Sequence, residues 1–147
     1  MSLQFTPVAA FAAFGAALVL FVWLATGVWV NFDARARGSA HPAVWGVFAP
    51  LSGIVLFYYL LWWRRGRPRE WPPDRAERAT AIVVVAGLGG LVAGNLVSPP
   101  DPTSQLTVWP IAFACCLPVA YWLVRTRFDA AEAESAGQRK ERNPPKP

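Results

Sequence analysis

Charge is what this sequence has least of. Asp, Glu, Lys and Arg make up 16% of its 147 residues, against about 25% in ordinary soluble proteins. Four tracts carry no such residue at all: 1–32, 38–63, 79–100 and 102–124. Helices of a soluble domain need a polar outer face, and these tracts have none. Chemistry-bearing side chains are equally scarce. There is one histidine, His41, and the only cysteines are Cys115 and Cys116. Proton-coupled carriers hold a buried acid or histidine in the membrane, and no tract offers an acid. A zinc site needs about four ligands and a reactive thiolate needs a neighbouring base; adjacent cysteines in an apolar helix have neither. Adjacent cysteines also point about 100° apart around a helix, which excludes an ordinary bridge. No metal or cofactor is expected.

What is present is long apolar runs with clear punctuation. A bilayer-crossing helix needs roughly 20 apolar residues, and each tract is long enough. The first span is expected over 7–32, with Thr6 as cap and Pro7 at the first helical position. It is too long for a signal core and lacks a basic leader. The second is expected over 43–63, opened by Pro42 and kinked at Pro50. The third, 79–97, follows Asp74 and Glu77 in a capping box and stops at Ser98-Pro99-Pro100. The fourth, 108–124, carries Pro118, and its helix can continue past Arg125 into a basic, partly disordered tail over 129–147. The expected architecture is all-α: an integral membrane four-helix bundle made of two antiparallel transmembrane hairpins.

Segment 81–95 invites a soluble alternative, because an apolar run followed by Gly87, Gly89 and Gly90 is similar to a dinucleotide-binding turn. Val85 stands where the tight-turn glycine belongs, and no second βα unit follows. Ala86, Gly87, Gly90 and Gly94 read better as a helix-packing face, with a stripe of Ala9, Ala13 and Ala17, along with Ala12 and Ala16, of the first span as its partner, within one chain or between copies. Asn95 is the polar residue deepest in a span, suited to an interhelical hydrogen bond or a polar pathway.

With four spans, twelve basic residues share the side of the 64–78 loop and the tail, and two, Arg35 and Arg37, lie on the other. Positive charge is retained in the cytoplasm during insertion. The expectation is therefore a multi-pass cell-membrane protein with both termini cytoplasmic. Trp62, Trp63 and Trp122 are expected at the basic end, and Trp29, Trp45 and Trp109 at the opposite one, as interfacial anchors.

Residues 31–42 form a charged elbow. Asp33 and Arg37 pair at four-residue spacing, Gly38 caps the first helix, and Pro42 restarts the next. Its functional rival is lipid-phosphate contact by Arg35, Arg37 and His41, with Arg64, Arg65 and Arg67 as similar contacts in the next loop. Anionic headgroups are thus expected partners, along with a protein partner or a second copy of the chain. The tail has too few uninterrupted cations for nucleic acid.

The stretch D-A-R-x-R-G at 33–38, with Trp45, Pro50, Gly53 and YLLWWRRG at 59–66, resembles the transmembrane hairpin at the start of phospholipase D/nuclease-type membrane proteins. Similar hairpins occur in small prokaryotic membrane proteins, halophilic archaea included. The likeness covers residues 15–66. It implies a membrane anchor and not the enzyme, whose H-x-K motif is absent. The functional expectation is a non-enzymatic accessory subunit or scaffold. The alternatives are a small passive channel or transporter, and a lipid-headgroup-binding or lipid-modifying membrane protein.

Overall fold

The computed structural model describes residues 7–99 and 101–142. Five helices account for it: α1 Pro7–Ala36, α2 Pro42–Leu51, α3 Gly53–Trp63, α4 Arg75–Val97 and α5 Pro102–Arg142. No strand occurs among the described residues. Three helices, α1, α4 and α5, are long and apolar enough to cross a membrane. Their outward faces are greasy, with Leu96 82% exposed and Val92 62%. Such surface suits lipid tails, not water.

The helix ends follow the sequence closely. Gly38 has a φ of +67°, in the left-handed region, and ends α1 as Ser39 N–H donates to the Ala34 carbonyl at 3.0 Å. Pro42 opens α2. Asp74 caps α4 by accepting from Glu77 N–H at 2.7 Å. The Glu77 side chain does not complete the capping box, because it is bonded to Arg69 instead. α5 passes unbroken through Pro110 and Pro118.

Segment 43–63 departs from the expected single span. Pro50 has no N–H to give to the Gly46 carbonyl, and Ser52, next to Gly53, is extended at φ −129°, ψ 114°. The chain breaks there and turns back. α2 has 10 residues, about 15 Å of helix, where roughly 30 Å is needed to cross. α2 runs down α1: a Cβ on Gly46 would lie 2.8 Å from the Gly27 carbonyl oxygen, and Trp23 Nε1 donates to the Pro50 carbonyl at 2.8 Å. α3 climbs back, so that Tyr59 reaches Asp33 and Trp63 packs on Trp45 with ring centroids 5.1 Å apart. The turn lies level with Trp23, ten residues and about 15 Å along α1 from Asp33. The second span is therefore a helical hairpin that starts and finishes at one end of α1.

Two further expectations change with it. Arg35 and Arg37 lie at the same end as the 64–74 loop, not at the opposite one, since Arg37 and Arg64 share Asp33. α5 brings Phe128 and Glu132 to Arg78. Every arginine and lysine of the described chain thus sits at or beyond one end, and Asp101 is the only charged side chain at the other. Trp29 and Trp45 also belong to the basic end, where Trp29 lies under Arg64. Trp109 is buried at mid-depth, its Nε1 donating to the Gly87 carbonyl at 3.3 Å.

Two apolar cores hold the helices together. Val22, Ala86, Trp109, Phe113 and Ala120 join α1, α4 and α5. Val30, Ala34, Ala49 and Tyr59 join α1 to the hairpin.

Candidate functional site

The densest polar construction lies where α1, α3, the 64–74 loop and α4 meet. Asp33, one turn from the end of α1, is fully buried. Its Oδ2 accepts from Tyr59 Oη at 2.7 Å and from Arg37 Nε at 3.0 Å, with Arg64 Nε at 3.3 Å. Its Oδ1 accepts from Arg69 at 2.9 Å. Glu77, buried on the first turn of α4, takes the other edge of Arg69 in a two-bond fork, each bond 2.7 Å. Burial opposes the charge on Arg69, but the hydrogen bonds and charge of Glu77, and then Asp33, hold its pKa above the ordinary guanidinium value.

Each donor is placed by a different element. Arg37 is four residues past Asp33, directly after the end of α1, and also donates to the Arg64 carbonyl at 3.2 Å and to that of Arg67. Tyr59 begins the π-helical turn Tyr59–Trp63, which widens the last turn of α3 and sets its ring against Trp45 and Trp63. Arg69 lies in the loop, which is tied to α1 by Glu70 N–H donating to the Ala36 carbonyl at 2.7 Å. Three guanidinium groups thus surround one carboxylate at the mouth of the hairpin. A buried carboxylate is costly unless its oxygens are engaged, and Asp33 has both engaged.

The candidate lipid contacts divide. Arg37 and Arg64 join this cluster. Arg67 lies over the Trp63 ring at 4.5 Å. Arg35 and Arg65 are exposed, and His41 is exposed and makes no side-chain cap to α2. The structure brings Arg37, Arg64 and Arg67 together around the loop and leaves His41 outside the cluster.

The packing candidates also divide. Ala86, Gly87, Gly90 and Gly94 are all buried. Gly87 meets Val22 of α1, and Gly90 lies against the α5 backbone, where a Cβ would sit 2.8 Å from Phe113 N. A Cβ on Gly94 would make ordinary contacts with Gln105 and Trp109 of α5, at 3.9 and 4.0 Å. The alanines at 9, 13 and 17 are exposed and do not meet these glycines. Asn95 donates to the Leu91 carbonyl at 2.8 Å and accepts from Gln105 Nε2 of α5 at 3.2 Å. Cys115 is exposed and Cys116 half-buried, both as free thiols.

Sequence reasoning missed Tyr59 and Arg69 as partners of Asp33, 26 and 36 positions away, and Glu77 as the acid on the other edge of Arg69. One signal existed: Arg35 and Arg37 are the only cations outside the majority side of a four-span count, and a returning hairpin removes that exception. Beside Glu77 and Arg64 a cleft of about 450 Å³ opens between α3, α4 and α5. Among the described residues, no group of three or more His, Cys, Asp or Glu could hold a metal. No family model matches the chain, and no curated protein or solved structure matches it either.

Proposed function

We propose that the chain is a non-enzymatic integral protein of the cell membrane that serves as a scaffold or accessory subunit. In this reading α1, α4 and α5 cross the bilayer and the α2–α3 hairpin enters it halfway and returns. The end that carries the arginines is cytoplasmic, as positive charge is during insertion. Residues 7 and 142 then lie on opposite sides of the membrane. The four-span count put both ends in the cytoplasm, and three crossings do not allow that.

The observation that carries the non-catalytic part is the saturation of Asp33. A catalytic carboxylate must present an oxygen to a substrate or a water. Asp33 is fully buried, and its two oxygens accept three hydrogen bonds, from Tyr59, Arg37 and Arg69, with Arg64 as a further ion-pair partner. That arrangement locks one helix to a returning hairpin, which suits a rigid structural part. The likeness of residues 15–66 to an anchoring hairpin accords with the same reading.

The test is photo-crosslinking in intact membranes from probes placed at Val92 and Leu96, on the lipid-facing side of α4. A discrete adduct with another protein chain, or with a second copy, is the expected result. Lipid adducts alone from both positions would overturn the scaffold reading.

A further inference from the structure

The cleft beside the aspartate cluster differs from two further crevices, one between α1, α4 and α5 and one between α1 and α2, whose linings are mostly apolar. It is amphipathic along its length. Its lower wall is hydrocarbon, from Leu60 of α3, Val85 and Leu88 of α4 and Leu123 of α5. Its mouth, at the basic end, is lined by Arg64, Arg69, Glu77 and Arg127. At about 450 Å³ it falls within the range of roughly 300–1,000 Å³ in which ligand pockets lie.

The charges at the mouth do not cancel. Arg37, Arg64, Arg69 and Arg127 are four guanidinium groups, and the carboxylates among them are Asp33 and Glu77. Arg69 is fully engaged by those two acids. Arg64 is not: only its Nε faces Asp33, its terminal nitrogens make no hydrogen bond among the described residues, and its side chain is 36% exposed. Arg127 is exposed and has no acceptor among the described residues. Two guanidinium forks with spare donors therefore stand above a hydrocarbon slot. Guanidinium forks match phosphate oxygens in two-bond geometry.

We propose that this cleft binds one anionic phospholipid, with its phosphodiester between Arg64 and Arg127 and an acyl chain along Leu60, Val85, Leu88 and Leu123. The proposal rests on the membrane reading above and adds a specific occupant to it. Charge complementarity selects the phosphate, and the apolar wall selects a lipid over free phosphate. The excess positive charge selects a headgroup with net negative charge over a zwitterionic one.

The experiment uses the full chain, delipidated in detergent, with native mass spectrometry as the readout. Dioleoylphosphatidylglycerol, dioleoylphosphatidylcholine and inorganic phosphate are added in separate arms. One phosphatidylglycerol molecule should be retained, at least tenfold in preference to phosphatidylcholine, and inorganic phosphate should not displace it. Arg127→Gln should lower that preference several-fold. Val85→Trp, which fills the slot without touching a charge, should abolish retention while thermal unfolding stays within a few degrees of the parent. Arg64→Gln should act as Arg127→Gln does.

Equal retention of the two lipids would overturn the proposal, and so would displacement by free phosphate. A preference that survives Arg127→Gln and Val85→Trp but disappears on neutralising Arg139, Lys140 and Arg142 would overturn it as well, because tail charge would then be the cause. Each variant is also tested for retention in carbonate-washed membranes. Absence of the lipid preference from the parent, with its membrane retention intact, refutes the cleft alone, whereas loss of membrane retention by the parent refutes the underlying reading.

Discussion

Replacing Asp33 by Asn is the sharpest test of how the hairpin is held. The amide keeps the shape of the carboxylate and its oxygen can still accept from Tyr59, but its NH2 then stands against the Arg69 donor, so the change removes the charge and one acceptor. Its consequences differ among the three arginines. Arg69 retains both Glu77 oxygens. Arg37 retains the Arg64 and Arg67 carbonyls. Arg64 is left with only the Trp29 ring, 5.4 Å from its guanidinium carbon. Removing one partner of a fully buried ion pair costs about 3–5 kcal/mol. The side chains of Arg64 and Arg69 are 36% and 23% exposed, so water recovers part of that loss, and about 2–4 kcal/mol is expected. For a chain of this size each kcal/mol moves the melting temperature by about 2–4 °C. Asp33→Asn should therefore lower it by roughly 5–15 °C in detergent micelles, followed by intrinsic tryptophan fluorescence. Glu70→Gln, at an exposed acid of the same loop, should move it by less than about 2 °C. Equal shifts for the two variants would refute the clamp.

Gly27 and Gly46 cross so closely that a Cβ on Gly27 would lie 2.6 Å from the Gly46 carbonyl oxygen. Gly27→Val should cost about 1–3 kcal/mol through overpacking and loosen the hairpin, read as faster hydrogen exchange across 46–56. Gly53→Ala meets open space and should leave that exchange unchanged. Glu77→Gln should weaken the Arg69 fork and separate the loop from α4; increased proteolysis between Arg64 and Arg75, with α5 still protected, is the expected pattern. Asp101 caps the start of α5 by accepting from Ser104 N–H at 2.8 Å, and that hydrogen bond holds its carboxyl below the ordinary range. A lowered folded-state pKa stabilises above the unfolded value, near 3.9, and the contribution is lost as pH falls through the folded value. Exchange protection of residues 103–106 should fall on acidification below pH 4 in the parent and show no such dependence in Asp101→Asn.

The helix boundaries were legible because they are local. Pro42, Gly38, Asp74 and the Ser98-Pro99 stop each act on the few residues beside them, and each marks the end of a helix in the structure. The pairing of Asp33 with Arg37 was legible for the same reason, being one helical turn. The return of α3 was not. An uncharged, mostly apolar stretch such as 43–63 looks alike whether it crosses a bilayer once or enters and leaves it, since lipid solvates both forms. Pro50 read as a kink because prolines in membrane helices usually bend without breaking, as Pro110 and Pro118 do in α5. The difference is Ser52 and Gly53 directly after Pro50, which together give the chain an extended residue and a poor helix former where the next turn would start. The remaining members of the Asp33 cluster come from distant segments, and no local pattern announces that Tyr59 and Arg69 reach Asp33 or that Glu77 takes the other edge of Arg69.

The central claim is that residues 40 and 66, on either side of the α2–α3 hairpin, face the same compartment. It is tested most directly by single cysteines at Ala40 and Gly66, both exposed, in a chain with Cys115 and Cys116 replaced by alanine. Membrane-impermeant maleimide is applied to right-side-out and to inverted vesicles. Labelling of both positions only in inverted vesicles is the predicted result; labelling of Ala40→Cys and Gly66→Cys from opposite sides would contradict it.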